Sequence, residues 1–105
     1  MLPRWCLPVV TALTLAMSVS AHAATIQITM ENLVISPAEA SAKVGDTIEW
    51  INKDIFIHTA TARNGDWDVT MPPKKTVTLV LKKAGLIDYY CRFHPNMKAA
   101  LEVAP

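Results

Sequence analysis

The chain lacks charge of either sign in excess. Ten Lys and Arg stand against nine Asp and Glu, for a net charge of +1 over 105 residues. So even a balance gives no general electrostatic case for nucleic acid or an anionic membrane as partner, and points to a local site instead. Cysteine is scarce, with two in the chain, and so is histidine, with three. No Cys-x-x-Cys-His haem-attachment motif occurs, and iron-sulfur clusters need more thiols than are present. Internal repeats, linkers and low-complexity segments are missing too. With 51% apolar residues the composition suits one small globular domain and argues against disorder.

The densest apolar stretch comes first and is judged separately. Met1-Leu2-Pro3-Arg4 opens it, Leu7 to Met17 forms its apolar body, and Ala21-His22-Ala23-Ala24 closes it. A positive residue, an apolar run shorter than the roughly 20 residues of a membrane span, and a small-x-small site follow in the order of a secretory signal peptide. The expected division is therefore a leader over 1–23 and a domain over 24–105, with no membrane insertion after cleavage. Cys6 lies near the start of the run, which argues against lipid attachment there. The processed chain would hold nine basic and nine acidic residues, His58 and His94, and one cysteine, Cys91. A lone thiol in an oxidising compartment needs protection, and a core this modest is in the size range where a metal often supplements it.

From Ala24 onward no convincing helix is legible, and short alternating segments with turn residues between them indicate an all-β sandwich or barrel, read as antiparallel. Strands are expected over Thr25–Met30, Leu33–Ile35, Thr47–Asn52, His58–Thr61, Thr76–Leu81, Leu86–Cys91 and Ala99–Val103. Val44-Gly45-Asp46, Arg63-Asn64-Gly65-Asp66 and Lys82-Lys83-Ala84-Gly85 read as turns. Met71-Pro72-Pro73 cannot be central strand, since two prolines remove two ladder donors. Met30 and Trp50 are expected in the core and Trp67 only partly buried.

Chemistry concentrates in Cys91-Arg92-Phe93-His94-Pro95-Asn96-Met97, where a thiolate, an imidazole and a thioether stand three residues apart. A continuing strand would put Cys91 and His94 on opposite faces, and Pro95 disfavours a helix through His94. Only a tight loop between two strands brings the three donors together. Outside it the processed chain has one further histidine, His58, and two imidazoles, a thiolate and a weak axial Met form the set of a blue-copper site. Zinc fits worse, because Met is a poor ligand for it. Met71 beside Pro72-Pro73 either joins Phe93 and Pro95 in an apolar rim around His94 or only shapes a loop. Lys74-Lys75 and Lys82-Lys83 either solvate strand ends or form a docking patch for an acidic partner.

Val44 to Asp54, then His58, then Gly85-Leu86-Ile87-Asp88-Tyr89-Tyr90-Cys91 and His94-Pro95-Asn96-Met97 carry a resemblance. The chain resembles the cupredoxin family, and within the plastocyanin, pseudoazurin and amicyanin group its short Cys-x-x-His-x-x-Met loop is most similar to the amicyanins. The resemblance implies a Greek-key β-sandwich of about eight strands and one mononuclear type 1 copper, with His58, Cys91 and His94 equatorial and Met97 axial. It also implies a monomeric, non-enzymatic, periplasmic electron carrier whose redox partners are a dehydrogenase, a cytochrome or an oxidase. Copper delivery, or a metal-free interaction module, is the rival expectation; a multicopper enzyme would need many more histidines. Ile57, Thr59 and Phe93 depart from the family pattern, which often has Pro, Asn and Pro at these places.

Overall fold

A computed structural model describes residues 22–105; the leader expected over 1–23 lies almost wholly outside the described residues. The described residues form nine strands: β1 (Thr25–Glu31), β2 (Val34–Ser36), β3 (Glu39–Lys43), β4 (Thr47–Asn52), β5 (His58–Ala62), β6 (Asp68–Met71), β7 (Thr76–Val80), β8 (Gly85–Tyr90) and β9 (Lys98–Ala104). One sheet has the order β2-β1-β4-β7 and the other β3-β9-β8-β5-β6. The result is the expected all-β Greek-key sandwich.

Alternation sets the inner faces. Ile28 and Met30 of β1, Ile48 and Trp50 of β4, Ile87 and Tyr89 of β8, and Leu101 and Val103 of β9 are all buried, as the period of two in each segment requires. Trp50 lies 5.3 Å from Trp67 and 5.8 Å from Tyr89, ring centre to ring centre, so three aromatic rings fill the middle of the sandwich. Trp50 Nε1 donates to the Tyr89 hydroxyl at 3.4 Å. Burial nevertheless pushes the Tyr89 phenol up to about 12, which keeps it neutral and compatible with an apolar core.

Three expectations are corrected. The pairing is not purely antiparallel: β1 with β4, and β3 with β9, run parallel. Each parallel pair arises because the chain leaves one sheet for the other before returning beside an earlier strand, so no hairpin joins the two. Two strands escaped the sequence pattern. β3 turns only Ala40 and Ala42 inward, side chains too small to announce a strand. β6 ends at Met71 immediately before Pro72-Pro73; it is an edge strand, the position where flanking prolines cost no ladder bond. Met71 itself pairs opposite His58 and is fully buried, so it cannot belong to a surface rim.

Asp46 closes the end of the sandwich remote from the candidate loop. Its Oδ1 accepts from the Ala24 amide at 2.9 Å and its Oδ2 from the Lys43 amide at 2.9 Å. These two donors hold the carboxyl below its ordinary value. A carboxyl lowered in the folded state stabilises the fold above its unfolded value of about 4, and that contribution is lost as pH falls through the lowered value. Asp46→Asn is therefore expected to lower the thermal midpoint at pH 7, with the gap to the parent chain narrowing as pH falls through the lowered value. A gap in midpoint that persists unchanged as pH falls through that range contradicts the assignment.

Candidate metal centre

Two pieces of chain meet at the other end. The loop between β4 and β5 delivers His58, and the loop between β8 and β9 carries Cys91, His94 and Met97. Asn52, buried at the end of β4, shapes the first loop. Its Nδ2 donates to the carbonyls of Phe56 at 2.8 Å and of Met71 and Pro72 at 3.2 Å, while its Oδ1 accepts from the Asp54 amide at 2.9 Å. The second loop closes on itself. Cys91 N donates to Met97 O at 2.9 Å, Met97 N to His94 O at 2.8 Å and His94 N to Cys91 O at 3.3 Å. This is the tight reversal that the spacing and Pro95 demand.

The donors converge. Cys91 Sγ lies 3.7 Å from His58 Nδ1 and 3.7 Å from His94 Nδ1, and one ligand atom from each of the three residues falls within 4.8 Å of the others. Cys91 and His58 are fully buried, Met97 is 2% exposed, and His94 is half-buried. His58 and His94 present their rings edge to face, 5.1 Å apart. The separations fit a first-row metal ion. Bonds of about 2.0 Å to nitrogen and about 2.3 Å to sulfur, the zinc values, at a trigonal angle place N and S about 3.7 Å apart.

Side-chain orientation is fixed behind the donors. His58 Nε2 lies 2.8 Å from Asp54 Oδ2, and a carboxylate there can only accept, so the ring carries its proton on Nε2 and turns the Nδ1 lone pair toward Cys91. Asp54 is held in turn. Its Oδ1 accepts from the Asn32 amide at 2.7 Å and its Oδ2 from the Leu33 amide at 3.1 Å. Burial pushes the Asp54 carboxyl up, but His58, Leu33 and Asn32 together bring it below its ordinary value. Asn32 and Leu33 both have positive φ, 54° and 62°, as a two-residue turn between β1 and β2 requires. Leucine pays for that conformation, and the Asp54 clamp holds it.

The sequence reading placed His58, Cys91, His94 and Met97 at one end of the sandwich, and the structure puts them there. It singled out Thr59 only as a departure from the family pattern, and it gave Asp54 no role at the site. Asp54 had a signal, a carboxylate four residues before His58, but only the structure shows that the intervening loop folds back.

A two-sheet β-sandwich with a buried cysteine sulfur between two imidazoles defines a small metal-binding protein of the copper-site class. The model of the cupredoxin-like domain matches residues 5–103, and the chain belongs to that family. The methylamine utilization protein MauL of Methylorubrum extorquens is 30% identical over 82 residues, covering 74% of this chain and 72% of that protein. Amicyanin of Paracoccus denitrificans is 32% identical over 71 residues, covering 62% of this chain. The match spans 54% of that amicyanin's length. Among solved structures, a reduced amicyanin variant superposes with a TM-score of 0.65 at 28% identity, covering 75% of this chain and 81% of that one. Family, amicyanin likeness and donor set together make this an amicyanin-like cupredoxin, a blue-copper electron-transfer protein with one type 1 copper as cofactor.

In the metal-free protein, nitrogen-15 correlation spectra should show His58 as the Nε2–H tautomer, and Asp54→Ala should abolish that preference. A protonated Nδ1 in the parent chain contradicts the Asp54 assignment.

Proposed function

We propose that His58, Cys91 and His94 are the equatorial copper ligands and Met97 the axial one, and that the protein is a periplasmic, monomeric carrier of single electrons rather than an enzyme. The observation that carries this reading is the position of Cys91 Sγ, 3.7 Å from each imidazole Nδ1 and shielded from water. Copper, when bound, supplies a one-electron couple between its cuprous and cupric states. The protein's part is to keep the donors where both states accept them. Asp54 orients His58, the closed 91–97 loop holds Cys91 and Met97, and apolar packing limits water.

Electrons would pass at His94, the one half-buried member of the set. Phe56 packs edge-on against its ring at 5.9 Å, and Phe56, Ile57 and Phe93 are between 41% and 51% exposed. This rim, with Pro95 and without Met71, suits a brief encounter with a dehydrogenase, cytochrome or oxidase; such redox contacts bury less than about 1,200 Å². The lysine pairs fit their solvating role better than a patch, since Lys74 Nζ is engaged by the Lys53 carbonyl and Lys83 lies 3.5 Å from Asp66. Copper delivery is disfavoured by the burial of Cys91, His58 and Met97, because a donor site must open to its recipient.

Export supplies the setting. Cleavage after Ala23 would leave residues 24–105 as the cupredoxin-like domain and turn the Ala24 nitrogen into an α-ammonium 2.9 Å from Asp46 Oδ1. The new charge would convert an amide hydrogen bond into an ion pair.

Adding Cu(II) to the reduced 24–105 chain should produce an intense visible thiolate-to-copper band with one copper per chain, and Cys91→Ser should abolish the band while leaving the β-sheet circular dichroism intact. A folded, reduced parent chain without the band overturns this reading.

A further inference from the structure

Thr59 follows His58 directly and is fully buried, yet both of its polar ends are committed. Its amide donates to Cys91 Sγ at 3.4 Å. Its hydroxyl Oγ1 lies 2.9 Å from Arg92 N and 2.9 Å from Thr61 Oγ1. Thr61 Oγ1 in turn donates to Asp68 Oδ1 at 2.7 Å, and Arg92 Nε returns to the same oxygen at 3.3 Å. A ring of hydrogen bonds thus leaves residue 92 through its backbone and re-enters it through its side chain.

The protons in this ring have a single arrangement. An ionised Asp68 has none to give, so Thr61 donates to it. Thr61 Oγ1 then has only lone pairs left for Thr59, so Thr59 donates to Thr61. Thr59 Oγ1 is left to accept, and the Arg92 amide, which can only donate, points at it. Every link is satisfied in one direction, and neither hydroxyl can rotate without breaking a bond. Asp68 and Arg92 are themselves 51% and 42% exposed, where an ion pair alone contributes little to stability. Their effect is to set the direction of the relay.

We propose that Asp68, acting through Thr61 and Thr59, is a positioning residue for the Cys91 thiolate, and so tunes the reduction potential of the site. This rests on the copper reading above. The relay ties β5 to the residue after Cys91 and fixes the Thr59 amide on the sulfur. A hydrogen bond to a ligating sulfur draws electron density from it and favours the reduced state. Loosening the relay weakens that bond and lowers the potential.

Thr59→Val, Thr61→Val and Asp68→Asn test this in the copper-loaded 24–105 chain, with Thr59→Ser as the conservative control. Voltammetry and the thiolate-to-copper band are the readouts. At fixed ambient potential, Thr59→Val is expected to lower the Cu(I)-to-Cu(II) ratio about three- to tenfold, where tenfold equals about 59 mV for one electron. Thr61→Val and Asp68→Asn should shift it in the same direction by less, and Thr59→Ser should stay close to the parent. The two remote variants are polar-edge changes, so they report even if Thr59→Val does not fold. A blue parent chain whose Thr61→Val and Asp68→Asn variants keep both potential and band position overturns the relay and leaves the copper reading standing. A colourless parent overturns both.

Discussion

Everything at the functional end of this molecule depends on one buried sulfur. Cys91 Sγ is reached by the two imidazole nitrogens from β5 and from its own loop, and by the Thr59 amide from β5. That places β5 and the β8–β9 loop within a few ångströms of each other although 33 residues separate His58 from Cys91. A thiolate left there without a cation would be a buried charge with a single amide donor, an expensive arrangement. With a metal ion between the three donors the same arrangement is balanced, which is why the donor set and the burial have to be read together.

The scaffold holds this end with polar clamps rather than with size. Asn52 folds the β4–β5 loop through three carbonyls, and Asp54 joins the β1–β2 turn to His58. On the opposite side, Asp68, Thr61 and Thr59 lead from the surface to the residue after Cys91. The two histidines are thus oriented by different means: His58 by a carboxylate, His94 by the closure of its own loop and by contact with Phe56. The aromatic cluster of Trp50, Trp67 and Tyr89 lies deeper between the sheets and keeps the two layers in register beneath the clamps.

Much of this was legible in the sequence. Strands with large β-branched or aromatic side chains at period two, β4, β7 and β8 above all, announce themselves because burial imposes the alternation. The proposed ligand set was legible because Cys91, His94 and Met97 share one loop and His58 is the only other histidine after residue 23. Parallel pairing was not, since no local signal distinguishes a strand that pairs with its hairpin neighbour from one that returns through the opposite sheet. β3 was invisible because alanine fills its inner face, and the burial of Met71 because the prolines beside it suggest surface. The relay through Thr61 and Asp68 was beyond reach for another reason. Polar residues on an edge hairpin are ordinary, and only their distances show that they are connected.

The fold, without metal, already holds His58 Nδ1, His94 Nδ1 and Cys91 Sγ at copper-binding separations. Crystal structures of the 24–105 chain in metal-free, Cu(I) and Cu(II) forms would check this. The separations of His58 Nδ1 and His94 Nδ1 from Cys91 Sγ are expected to stay near 3.7 Å in all three forms. A metal-free structure in which either imidazole has swung out of the Cys91 loop, with the Asp54 and Thr59 contacts broken, would contradict it.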